Sequence, residues 1–154
     1  GTFVSDVNWQ GVESATGVAT GGVTVVVGVA GALEGNAMYS CAWESALGVA
    51  GAMLGRVVGD LDERAQRALA ELGTMMTGRA CLYLASAGYP CELAPPVVVL
   101  GSGFGVHAPR LPRWSVALQL PQGTMELHLA VGWPGASAPT HQGGRSAHAS
   151  GDVP

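Results

Sequence analysis

Apolar side chains along this chain follow two rhythms, and their order predicts the fold. "VTVVVGVAG", Val23 to Gly31, is rich in β-branched residues and reads as a buried strand. "ALEGN" supplies turn chemistry, and "AMYSCAW", Ala37 to Trp43, makes a second strand, so the two form a hairpin. The rhythm then changes. Ala46, Val49, Ala50, Met53 and Leu54 form one helical stripe, which Gly55 ends as a C′ residue. "DLDE" opens a second, longer helix, with Asp60 as its cap and Glu63 at the third helical position. Its apolar stripe is Leu61, Ala65, Ala68, Leu69, Leu72, Met75 and Met76, and it runs to about Ser86, before the breakers Gly88 and Pro90.

After "APPV" the pattern is β again: Val97 to Gly101, Arg113 to Leu120 and Thr124 to Gly132, the last two joined by "PQG" as a hairpin. The order β-β-α-α-β-β-β predicts an α+β fold, a largely antiparallel sheet with two main helices packed on one face. Residues 1–22 are turn-rich with weak periodicity and receive no element. From Trp133 onward the chain is Pro, Gly, Ser and Ala without period, so the expected division is a domain over 1–133 and a flexible tail over 134–154.

Composition narrows the function. Charged residues are only 12% of the 154, against about 25% in an average soluble domain. Net charge is −4 and all seven basic residues are arginine. No basic stripe exists, which argues against nucleic acid and anionic membrane surfaces as partners. The longest apolar run is broken by glycines and falls short of the roughly 20 residues a spanning helix needs, and no signal peptide is visible, so a cytoplasmic location is expected. Cys41, Cys81 and Cys91 match no disulfide framework or zinc spacing and read as small buried hydrophobes.

Most candidate chemistry dissolves on inspection. "GSGFG", Gly101 to Gly105, opens no helix and lacks the Lys-Ser/Thr of a phosphate loop, so it reads as a flexible strand connection. His107, His128, His141 and His148 share no metal-ligand spacing and read as solvent-exposed. No G-x-S-x-G elbow offers a serine nucleophile. What remains is the polar stripe of the long helix: Arg64, Arg67, Glu71, Thr74 and Gly78. Glu71 and Thr74, at i and i+3, can point at one object, and Gly78 could let a partner's backbone come close. The plain alternative is helix surface, with Arg67 and Glu71 an i, i+4 ion pair worth about 0.3–0.5 kcal/mol.

Laid out this way, the chain resembles the CheX-type chemotaxis phosphatases of the CheC-like superfamily. The resemblance runs from about Val23 to Gly132 and rests on "VTVVVGVAGALEGNAMYS", "WESALGVAGAMLG", "ALAELGTMMTGRA" and "CELAPPVVVLGSG". It implies action on the aspartyl phosphate of a CheY-type response regulator through an E-x-x-N motif on the long helix. The Asn orients the attacking water and the Glu anchors the docked receiver by pairing with its active-site lysine. Magnesium and phosphoaspartate would belong to the partner, so no cofactor of this chain's own is implied.

By position, Glu71 matches the acid and Thr74 stands where Asn is expected. Threonine offers one hydroxyl on a short, stiff arm, and mispositioning of about 1 Å can cost about 100-fold in rate. Two functions are therefore carried forward. One is a phosphatase with Glu71 and Thr74 as its catalytic pair, and with Arg67, Glu71 and Gly78 facing the partner. The other is a binding module for a receiver or flagellar-switch component. The resemblance further implies a helix ahead of the first strand, not evident in "GTFVSDVNWQ" and expected to have been left out of this chain. It also implies a possible homodimer, paired along "VTVVV" or "MELHLAV" if either lies at a sheet edge.

Overall fold

The chain order is β1 (Asp6–Val12), β2 (Val18–Gly31), β3 (Glu34–Cys41), α1 (Trp43–Leu54), α2 (Glu63–Ser86), β4 (Cys91–Leu93), β5 (Val97–Val106), β6 (Arg113–Leu120) and β7 (Gly123–Gly132). This computed structural model describes residues 6–12, 18–106, 111 and 113–135. The seven strands form one antiparallel sheet in the order β1-β6-β7-β3-β2, with β4 and β5 sharing the outer side of β2. The α+β prediction holds, with both helices on one face. The expected flexible tail over 134–154 lies outside the described residues from 136 on, as do His107, His141 and His148.

Alternation along the strands sends one set of side chains to the helices, while Thr24, Met38 and Ser40 are buried on the sheet's other face. Val23, Val25, Val27 and Val29 of β2 are buried toward the helices, as are Ala37, Tyr39 and Cys41 of β3 and Val116 and Leu118 of β6. Ala46, Val49 and Ala50 of α1 and Ala65 and Leu69 of α2 complete this core. Gly55 ends α1 in the left-handed conformation, as its position suggested. Among the described residues no helix is long and apolar enough to cross a membrane.

Several expectations shift. The first hairpin turns at Ala32 and Leu33, so β3 begins at Glu34 and ends before Trp43, which opens α1 instead. Residues without an assigned element supply β1 and the start of β2. "GSGFG" is not a loop but part of β5, where Gly101 pairs with Gly22 and Gly105 with Ala19. Asp62, not Asp60, caps α2: its carboxylate accepts from Ala65 N at 2.8 Å, while Asp60 accepts from Leu61 N. "VTVVV" and "MELHLAV" are interior strands, since β2 lies between β3 and the β4/β5 pair and β7 lies between β6 and β3. Neither offers an open edge for pairing with a second chain.

His128 is also not exposed. Its side chain is 12% accessible, with Nδ1 2.9 Å from Ser115 Oγ and Nε2 3.3 Å from Glu126 Oε2.

One buried polar pair ties α2 to the sheet. Thr77 Oγ1 donates to Gly73 O at 2.8 Å, so its single proton is spent, and the 2.8 Å contact with Tyr39 Oη has the phenol as donor. Burial pushes the Tyr39 phenol up, the bond to Thr77 opposing that rise. Thr77→Val strands a buried donor and should cost about 1–3 kcal/mol in urea unfolding. Tyr39→Phe removes the donor itself and should cost only about 1 kcal/mol. Equal losses would contradict this donor assignment.

Candidate functional site on the long helix

Everything about the site follows from how α2 sits on the sheet. Gly73 is buried against β2 and β3. A Cβ there would come within 2.8 Å of Val25 Cγ1 and 3.5 Å of Tyr39 Cδ2. The missing side chain lets the helix axis approach the sheet closely within the turn that carries Glu71 and Thr74. The opposite side of that turn faces outward: Glu71 is exposed and Thr74 half-buried.

The basic residue expected to quench Glu71 is occupied elsewhere. Arg67 Nη2 bonds Glu63 Oε1, one turn earlier, not Glu71. The pair Glu63–Arg67 has glutamate N-terminal to the cation, the better orientation on a helix. Glu71 is left with no hydrogen bond or ion pair among the described residues. Thr74 is differently committed. Its hydroxyl donates to Ala70 O at 3.0 Å, so the proton is used within the helix and only the oxygen's lone pairs remain to receive a bond from outside.

Gly78 is half-buried, and a Cβ there would meet Leu93 Cδ1 of β4 at 3.5 Å. Gly78 therefore faces β4 at ordinary van der Waals distance and forms no open notch. Arg67, Glu71 and Thr74 thus share an accessible face, and Gly78 turns toward β4.

Two features escaped the sequence reading. Met75, placed in the apolar stripe by its spacing, is 58% exposed beside Thr74. Next to it a cavity of about 450 Å³ opens between α1, α2 and the β6–β7 hairpin. It is lined by Met53, Leu72, Met75, Met76 and Leu120 among others, and among the described residues Glu71 is the only charged one in the lining. No periodicity rule reports a void. Among the described residues, no three or more His, Cys, Asp and Glu side chains group as a metal site.

Residues 23–120 match the family described as chemotaxis phosphatase CheX, and the chain belongs to that family. It is 34% identical over 115 residues to the CheY-P phosphatase CheX of Thermotoga maritima, covering 71% of each chain. The fold is that of the CheX crystal structure from Vibrio vulnificus, with a TM-score of 0.71 at 23% identity over 85% of this chain and 89% of that one. It is also that of CheX from Borrelia burgdorferi, solved as a complex with CheY, BeF3 and Mg2+, at a TM-score of 0.65 and 24% identity, covering 83% and 85%.

Proposed function

We propose that this protein docks on the phosphorylated receiver of a CheY-type response regulator through the outer face of α2, and slowly hydrolyses its aspartyl phosphate. The observation that carries this reading is Glu71. It is exposed, free of any partner within the described residues, and one turn from Thr74 on the same helix. An unpaired carboxylate on a surface poor in charge can accept a cation from a partner at little cost, because no internal ion pair has to be broken first. Phosphoryl transfer asks mainly for positioning and charge stabilisation, and the receiver's own carboxylates and magnesium supply the latter.

In this reading Glu71 pairs with the receiver's active-site lysine and sets the register of the complex. The lone pair of Thr74 Oγ1 then accepts a hydrogen bond from the attacking water. The water's oxygen attacks phosphorus, and the aspartate carboxylate leaves. Met75, exposed beside the pair, gives the docked partner an apolar contact. The site works where response regulators work, in the cytoplasm.

A second reading, a receiver-binding module without hydrolysis, is favoured by one bond. Thr74 gives its proton to Ala70 O and therefore holds a water through one acceptor alone.

Binding of a BeF3/Mg2+-loaded CheY-type receiver separates docking from chemistry. Glu71→Ala should weaken it about 30-fold or more, as removal of one partner from a desolvated charge pair does. Thr74→Ala should leave it within about twofold. Wild-type affinity in both variants would remove α2 as the interface.

A further inference from the structure

Beyond the outer face of α2, its final turns bring two thiols together. The chain leaves α2, turns at Gly88 and Pro90, and returns along the helix as β4. On β4 the side chains of Cys91 and Leu93 are half-buried and Glu92 is exposed, so Cys91 and Leu93 share the inner side. Leu93 packs over Gly78, its Cδ1 at 3.5 Å from where a Cβ on that glycine would stand. From that contact, three residues along α2 advance about 4.5 Å to Cys81, and two residues back along β4 retreat about 6.7 Å to Cys91. The two offsets differ by about 2 Å, so Cys81 and Cys91 stand at one level of the α2–β4 contact, on its facing sides. Cys81 is buried, Cys91 is half-buried with its Sγ 3.4 Å from Tyr89 O, and both are free thiols.

We propose that Cys81 and Cys91 form a redox-modifiable site, closed to an intramolecular disulfide by a hydroperoxide oxidant. Cys91, the more accessible sulfur, attacks hydrogen peroxide. Its S–H bond and the O–O bond break, an S–O bond forms, and one water leaves, giving the sulfenic acid. The Cys81 sulfur then displaces that hydroxyl, the S–S bond forms, and a second water leaves. Two thiols lose two electrons in total and one peroxide gains them. The bridge would staple the last turns of α2 to β4, and through the Gly31–Cys91 pairing to β2. Burial, then Cys91 itself, pushes the Cys81 thiol up, which leaves the first attack to Cys91. Cys41 is the internal control. It lies buried in the core, with burial pushing its thiol up to about 11, and meets no second cysteine.

The test treats the full chain, folded, with hydrogen peroxide, removes the oxidant, and alkylates with iodoacetamide in denaturant without reductant. Tryptic peptide 80–110 contains both cysteines and no internal arginine or lysine. It should appear two hydrogens lighter and unalkylated, and dithiothreitol should restore two alkylation sites, while Cys41 stays alkylated throughout. The oxidised protein should melt about 5–10 °C higher than the reduced one, and Cys91→Ser should show no such rise. Peptide 80–110 carrying two alkyl groups after peroxide, or sulfinic oxygens in place of the bridge, would overturn the site. A rise in Cys91→Ser equal to the wild type's would overturn the staple.

Discussion

Replacing Thr74 with asparagine is expected to raise the rate of phosphate release from a phosphorylated CheY-type receiver about 100-fold over the wild type. Two physical changes combine. The carboxamide sits on an arm longer by one bond, so it reaches further beyond the helix surface than the Thr74 hydroxyl. It also presents a donor and an acceptor at fixed geometry, whereas the threonine proton is already given to Ala70 O. The helix backbone needs no adjustment, because Gly73 fixes its height on the sheet and Glu71 is unchanged. Single-turnover decay of labelled receiver, measured with both proteins in excess, gives the ratio directly. Equal rates would mean that position 74 does not touch the attacking water.

The largest loss of stability is expected from Gly35→Ala. Gly35 has φ +150°, outside the range that an L side chain adopts readily, and a Cβ there would collide with the carbonyl oxygen of Ala130 on β7. The obstacle is backbone of the β3–β7 ladder, between the Asn36–Ala130 and Glu34–Gly132 pairs, so no rotamer change relieves it. Strain and overpacking together should cost about 3–5 kcal/mol, a large part of the stability of a domain this size. Urea unfolding checks it. A loss below about 1 kcal/mol would mean that β3 and β7 separate easily here.

Much of this architecture was legible because one face of the sheet is buried and shows it. The strand Arg113–Leu120 reads correctly to the residue, since Val116 and Leu118 alternate with less buried neighbours. What was not legible is held by backbone rather than by side-chain pattern. Part of β5 runs through "GSGFG", opposite the glycines of β2, where ladder bonds need no apolar side chain. Three-residue β4 is too short to have a period, and β1 interleaves Val7 and Trp9 with Asn8 and Gly11.

The site divides in the same way. That Glu71 and Thr74 share a turn follows from helical spacing alone. Arg67 had glutamates on both sides at four residues, and only the direction of the helix favoured Glu63 over Glu71. Asp60 and Asp62 are equally good caps by residue type, and the chain's path into α2 chose the second. The spacing that put Met75 in the core could not know that the space beneath it is a cavity.

The most direct test of the central claim is the time course of phosphate release from a phosphorylated CheY-type receiver with stoichiometric wild-type protein. The account predicts loss faster than the receiver's own, returning to that basal rate when Glu71 is replaced by alanine. Loss at the basal rate with the wild-type protein, under conditions where the Thermotoga maritima CheX accelerates it, would contradict hydrolysis at Glu71 and Thr74.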